Sequence, residues 1–416
     1  MNTTVSTDSA RPLTIAQLIL SLAGLMLLLA GFIGLSVLLL IAPAEAGFSG
    51  EQVNQLRSML WILAATALLT IPSLVSSIRR LSGKPPRAVS GKLFLFSIIA
   101  LLLTTLLIYT GKSLTTSGAF QWLTGLLNIL IVIIPLWWFF ELGRLQLSRT
   151  SAQRQWGVST FTIFVTLPVV IIVELVVLGI GLLMASIWMV QQPEFAPILQ
   201  QIEQGLFFSS FDPQNLAIDW VSLLQRPGVI GAILMAAALV VPLIEELLKP
   251  LGVWVLKNRG LTPAGGFIAG MLCGATFALL ESLFALSAIS GDEWLYTVVG
   301  RVGTGLLHLT LTGFNGWALA ASWRDGRYMR IGITYILTVL VHGAWNLFAM
   351  LMGLNMVGDE LELSVNPALS ASAPWVLSAL ALVMLVALFL LNRHLRRAQT
   401  PVSAPPPLPV TLVGLE

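Results

Sequence analysis

Two adjacent glutamates and a nearby lysine form the first group of residues whose types and spacing could do chemistry. In Glu245-Glu246-Leu-Leu-Lys249 the lysine follows the carboxylates by four and three residues, which is within reach on a helix. Successive helical residues diverge by about 100°, so we expect one carboxylate to pair with Lys249 while the other stays free. A free carboxylate in apolar surroundings suits a general base that deprotonates water. An ion-pair cluster that only locks helix packing is the alternative interpretation.

Three further polar positions follow along the chain. Glu281 ends Phe277-Ala-Leu-Leu-Glu281, His308 stands alone, and His342-Gly-Ala-Trp-Asn346 places an imidazole and a carboxamide four residues apart on one helix face. Both groups can donate hydrogen bonds to the oxyanion that develops when an amide carbonyl is attacked. A single His or Asn in an apolar helix is usually a hydrogen-bonded packing residue, but the combination favours a hydrolytic site.

The elements that must position these residues are membrane helices. Of 416 residues, 56% are hydrophobic and 10% are charged, which is too apolar for a soluble domain of this size. Runs of about 20 apolar residues, enough to cross a bilayer, recur along the chain. The predicted fold is an all-α, polytopic transmembrane bundle of about ten helices, and the first is too long for a cleaved signal peptide. The predicted spans are Ile15 to Ile41, Met59 to Ile78, Leu93 to Tyr109, Trp122 to Leu142, Thr160 to Val190, Val229 to Leu256, Gly265 to Ser290, Thr297 to Trp323, Ile331 to Met352 and Pro374 to Leu391.

The basic residues predict the orientation of the bundle. Most of the 22 Lys and Arg residues fall on one side of the predicted helices, and basic loops are retained in the cytoplasm. Both termini are therefore expected to be cytoplasmic, in a bacterial cytoplasmic membrane. No basic stripe interleaved with aromatics indicates nucleic acid, and one cysteine, Cys273, excludes disulfides. The basic residues counted on the opposite side are Arg57, Lys112, Arg226 and Arg301.

The intramembrane ionisable residues concentrate in the second half of the chain. The first five helices carry few of them, the clearest being Glu174, so function is expected in helices six to nine. The segment between the two halves is interpreted as an external interfacial segment or lid, or equally as a plain connector. The predicted division is 1–190 for helices one to five, 191–227 for the interfacial segment, 228–354 for a catalytic four-helix core, 355–400 for an external loop and the last helix, and 401–416 for a proline-rich cytoplasmic tail.

Helices seven and eight each show a patterned face. Gly266, Gly270 and Gly274 recur every four residues, so a neighbouring helix can approach them closely. Glu281 lies two turns further on the same face and should point into that interface. On helix eight, polar residues recur every three or four positions and predict a face that lines a hydrated cavity. These residues are Thr304, His308, Thr312 and Asn315.

The ordered motifs Glu-Glu-x-x-Lys, Phe-x-x-x-Glu, His and His-x-x-x-Asn, from about Val229 to Met352, resemble the PrsW family of intramembrane proteases. That family is related to the CAAX-processing and bacteriocin-immunity proteases. The resemblance implies an intramembrane endopeptidase that acts on membrane-bound proteins. The roles it implies are Glu245 as general base, Glu246 as partner of Lys249, His308 as a water-orienting group, and His342 with Asn346 as oxyanion donors. Glu281 stands where CAAX-processing relatives have histidine, so it could orient water, share a proton or bind a metal.

No cofactor is expected to be required. The His-Glu-x-x-His helix typical of zinc peptidases does not occur, so metal-free activation of water is favoured. Zinc or another divalent metal is the less favoured alternative, since His and carboxylate both bind zinc. The expected partners are a membrane protein or peptide substrate and the lipid bilayer. A proton-coupled transporter or channel is the rival function, although no repeat of two similar halves is visible. A non-catalytic scaffold is a third.

Overall fold

The computed structural model is helical, with no strand in the part of the chain it describes. Most of the predicted interfacial segment at 191–227 and the whole tail at 401–416 lie outside the described residues. The described residues are 11–45, 48–85, 93–116, 121–148, 150–196, 200, 225–289, 293–361 and 367–399.

Ten long helices follow one another through these ranges, and two of them contain a π-helical turn. In chain order they are α1 (Arg11–Glu45), α2 (Gly50–Leu81), α3 (Leu93–Thr116), α4 (Thr124–Gly143), α5 (Ala152–Phe161, the π turn Thr162–Thr166 and Leu167–Val190), α6 (Pro227–Met235, the π turn Ala236–Val240, Val241–Leu248 and the short Leu251–Trp254), α7 (Pro263–Ser287), α8 (Glu293–Asp325), α9 (Met329–Leu361) and α10 (Pro367–Gln399). The predicted polytopic helical bundle is confirmed.

Helix α8 differs in polarity from the helices around it. Nine of the helices, counted over the described residues, are long and apolar enough to cross a membrane. Helix α8 has 33 residues, which is long enough, but it carries Arg301, His308, Thr312 and Asn315. Most of its middle is buried by the other helices. Polar side chains at membrane depth are tolerated where protein covers them, so α8 lies with α7 in the interior of the bundle.

Close packing of α7 against α8 depends on glycine, as predicted. A Cβ atom on each of three glycines of α7 would collide with a main-chain oxygen of α8. The pairs are Gly266 with Gly316, Gly270 with Thr312, and Gly274 with His308. Only a residue without a side chain allows two helix backbones to approach so closely. The contact holds the backbone of His308 against α7 and brings Glu281 beside it.

Helix α9 supports the π turn Ala236–Val240 that precedes the Glu-Glu motif of α6. A π turn interrupts the regular hydrogen-bond ladder of a helix, and such turns are frequent at functional sites. Asn346 Nδ2 donates a hydrogen bond of 2.9 Å to the carbonyl of Ala237. At Gly343 a Cβ atom would collide with the carbonyl oxygen of Ala238. Contact with α9 therefore fixes how α6 presents the residues that follow the turn.

We predict that Gly274→Ala destabilises the protein, whereas Gly300→Ala does not. Gly300 lies on α8 and has open space where its Cβ would be, while a Cβ at Gly274 meets the main chain of His308. The expected cost at Gly274 is about 1–3 kcal/mol in the free energy of unfolding, because two backbones must separate. Thermal unfolding in detergent measures it. Equal stability of the two variants would show that this close packing does not hold α7 against α8.

Candidate active site

Lys249 lies at the centre of a buried polar cluster formed by α6, α7, α8 and α9. Its side chain is completely buried, with Nζ 2.6 Å from Glu245 Oε2 and 3.0 Å from Glu246 Oε1. The same Nζ lies 2.6 Å from His308 Nδ1. The prediction that one carboxylate pairs while the other stays free is therefore wrong. Positions three and four residues before a lysine both face it across one helical turn, so one ammonium contacts both acids.

Glu246 is the residue that connects three helices of the cluster. Its Oε1 lies 3.0 Å from Lys249 Nζ and 3.0 Å from His342 Nδ1. Its Oε2 accepts a hydrogen bond of 3.1 Å from Asn315 Nδ2, and Asn315 is held in turn by a 3.2 Å bond to Thr338. A charge so deeply buried is stable only when its lone pairs are occupied in this way. Glu246 is thus a structural anchor for α6, α8 and α9.

The contacts of the two histidines fix which ring nitrogen carries hydrogen. A carboxylate only accepts hydrogen bonds, so His342 Nδ1 donates to Glu246. Its Nε2 is left as an acceptor, 3.7 Å from Glu245 Oε2. An ammonium only donates, so His308 Nδ1 accepts from Lys249. Its Nε2 then carries the hydrogen, 2.9 Å from Glu281 Oε2. The cluster therefore directs one imidazole lone pair, that of His342, towards Glu245.

Glu281 lies at the more open edge of the cluster. Its side chain is 35% exposed, compared with 8% for Glu245. Arg301 of α8 binds it with Nη2 3.0 Å from Oε1, and Arg301 Nε donates to Ser282 Oγ at 3.0 Å. Because Arg301 was counted with the basic residues on the outer side, its ion pair with Glu281 was not predicted. Arg301 and His308 are seven residues apart, a spacing that puts both on one face of α8. That spacing could have predicted that Arg301 faces the cluster.

Glu174 is a further carboxylate that the sequence analysis named without assigning a role. It comes from α5 and lies beside Glu245. Its Oε1 is buried and has no hydrogen-bond partner within the described ranges. Two adjacent carboxylates repel one another unless a proton or a cation lies between them. Glu174 therefore brings a further carboxyl group from α5 to Glu245.

Three members of the cluster can hold a metal ion. Glu245, His308 and His342 each place one donor atom within 4.8 Å of the others. Two imidazoles and a carboxylate are a zinc donor set, and the bond from His342 Nδ1 to Glu246 is the kind of outer contact that orients a metal-binding histidine. The residues thus fit a divalent metal. Lys249 Nζ already contacts two of the three donors, so the ammonium and a metal compete for the same atoms.

Six of the seven predicted site residues meet in this cluster, and the seventh lies one helical turn away. Asn346 donates to the backbone of α6 at Ala237, so its role as an oxyanion donor stays a prediction. Of the predicted polar stripe on α8, Thr304 accepts a 3.1 Å bond from Trp345 Nε1. Buried Oε2 atoms of Glu245 and Glu281 lie within ion-pair distance of their neighbours but outside hydrogen-bond geometry. These atoms can accept further bonds from a water or an ion.

Comparison with known proteins agrees with this geometry. A family model described as PrsW family intramembrane metalloprotease matches residues 175–391, just over half of the chain. The chain belongs to the PrsW family. The resemblance seen in the motifs is confirmed, and the PrsW region extends beyond them, from α5 into α10. No curated protein and no solved structure matches the chain. Membership of PrsW makes this an integral, multi-pass membrane protein of the intramembrane protease class.

We predict that Glu246→Ala destabilises the PrsW fold strongly. The change leaves Lys249, His342 and Asn315 buried without their shared acceptor. Removing one partner of a buried charge pair costs about 3–5 kcal/mol. The free energy of unfolding in detergent measures this effect, with Glu293→Ala, an exposed acid in the first turn of α8, as the matched control. A cost no larger than that of the control would contradict the anchoring role of Glu246.

Proposed function

We propose that this protein is an intramembrane endopeptidase that hydrolyses peptide bonds of membrane-bound protein substrates at the cluster around Lys249. The observation that carries the proposal is the convergence of Glu245, His308 and His342 from three helices, inside a region that matches the PrsW family. Because α6 and α9 are long and apolar enough to cross the membrane, a polypeptide segment within or beside the bilayer is the substrate that can reach the cluster.

Glu245 is the residue we assign to activation of water. Its Oε2 has accepting capacity left beside Lys249, so it can take the proton of a water that attacks the amide carbonyl. His342 Nε2 is an acceptor 3.7 Å away. It can hold that proton before the proton passes to the nitrogen of the leaving amine. Once protonated at Nε2, His342 becomes a donor and can also stabilise the oxyanion, the role that the motif implies.

A metal-assisted form of the same reaction is supported by the donor set. Glu245, His308 and His342 are the residues that would hold the ion. A divalent metal at such a site supplies an acidified water and polarises the substrate carbonyl. With Glu245 engaged as a ligand, Glu281 is a carboxylate that can accept a proton, since it lies beside His308 and is more exposed than Glu245. Arg301 keeps Glu281 in place.

We predict that Glu245→Gln and His342→Ala strongly slow cleavage. The test uses the purified full chain in detergent and a panel of single-pass membrane peptides. Loss of a proton-transferring group lowers the rate by about 100-fold or more, so both variants should fall at least that far. Glu293→Gln, an exposed acid at the start of α8, should cleave like the wild type. Undiminished cleavage in both site variants would remove the cluster from the reaction.

Metal content separates the two forms of the mechanism. If a metal takes part, the wild type should bind about one zinc ion per chain, measured by elemental analysis after dialysis. The variants Glu245→Gln, His308→Ala and His342→Ala should then lose it, and a chelator should stop cleavage until zinc is restored. Full cleavage by metal-free protein in the presence of chelator would reject the metal-assisted form and support activation by Glu245 alone.

A further inference from the structure

A cavity of about 670 Å³ lies between α1, α2, α5 and the last turn of α6. None of the residues assigned to the candidate active site lines it. Three arginines contribute to its wall, and among its described lining residues there is no Asp or Glu. The arginines are Arg80 at the end of α2, Arg154 in the first turn of α5 and Arg259 after α6.

The wall of the cavity changes from basic to apolar with depth. Arg154 lies near one end of the α5 wall and Val165 at the other. Eleven residues of helix separate them, which is about 16 Å. On α1, Thr14 lines the cavity near the start of the helix, while Ala23 lines it about 13 Å further along. A bound molecule should therefore be charged at one end and apolar along its length.

Neither Arg80 nor Arg154 forms an ion pair with an acid in the part of the chain that the structure describes. Arg154 Nη2 makes one long bond, 3.5 Å, to the main chain of Arg259. Partly buried guanidinium groups of this kind favour an anionic ligand, and they bind phosphate through paired N–H donors.

The rim of the cavity is held by amide side chains. Gln17 Nε2 donates to Ser73 Oγ at 2.9 Å, and Gln153 Nε2 donates to Thr14 Oγ1 at 3.0 Å. These bonds connect α1 with α2 and with α5. The three helices around the cavity are therefore held together by the protein's own hydrogen bonds.

We propose that this cavity binds one anionic phospholipid, with its headgroup phosphate at the three arginines and an acyl chain along the apolar wall. The cavity has the size of a small-molecule site. Basic pockets between transmembrane helices are a known setting for anionic headgroups. A free inorganic anion would leave the long apolar wall unused. The bilayer supplies the amphiphile directly, because the exposed face of α1 beside the cavity is apolar.

The test is native mass spectrometry of the full chain with phosphatidylglycerol and with phosphatidylcholine of the same acyl chains. Phosphatidylglycerol should bind more tightly in the wild type. The double variant Arg80→Gln, Arg154→Gln should lower its affinity by about five-fold for each arginine, in keeping with the usual contribution of one basic residue near an anionic lipid. The control Arg79→Gln, Arg327→Gln removes the same charge from residues that do not line the cavity and should leave the affinity unchanged.

Two further experiments distinguish binding of a lipid from binding of an inorganic anion. Ala23→Phe fills the apolar end and should lower the affinity for phosphatidylglycerol without touching the arginines. Inorganic phosphate and glycerol 3-phosphate should compete with the lipid poorly. Equal binding of the two lipids, an unaffected arginine variant, or full competition by inorganic phosphate would each overturn the proposal. Thermal unfolding of every variant confirms that it is folded before its affinity is compared.

Discussion

The buried ammonium of Lys249 is the interaction on which the arrangement of this protein depends. Two neighbouring carboxylates, Glu245 and Glu246, would repel each other at membrane depth without it. With both acids on one cation, the net charge that this part of α6 brings to the interior falls from −2 to −1. The second acid then binds His342 and Asn315, and this network sets the positions of α8 and α9. The proposed activation of water by Glu245 therefore depends on the position of Glu246, which these contacts fix.

The sequence predicted the bundle well because its signals are local. An apolar run of about 20 residues can satisfy its backbone only as a helix in lipid, so the number and approximate limits of the helices follow from composition. The contact between α7 and α8 also followed from a local pattern, since glycines every four residues mark one face. The interior position of α8 was not predicted, because its polar residues were interpreted only as one face that lines a hydrated cavity.

The interior of the cluster was harder to predict because it depends on which groups meet. Helical spacing showed that Lys249 could reach either glutamate, and only the packed structure shows that it contacts both. Arg301 was counted with the basic residues on the outer side of the membrane, although its side chain forms an ion pair with Glu281. Glu174 stood out in the sequence as an isolated acid. Its position beside Glu245 depends on how α5 packs against α6, which no spacing within one helix reveals.

The π turns of α5 and α6 have a consequence for how such a centre could arise. The π turn Thr162–Thr166 comes before Glu174, and the π turn Ala236–Val240 comes before Glu245. These two carboxylates lie beside each other. A π turn amounts to one extra residue in an otherwise regular helix. Deleting that residue would restore a regular α-helix. The part of the helix after the turn would then be rotated by about 100° relative to the part before it. A single inserted codon in each helix could therefore have turned two acids that once faced elsewhere towards each other.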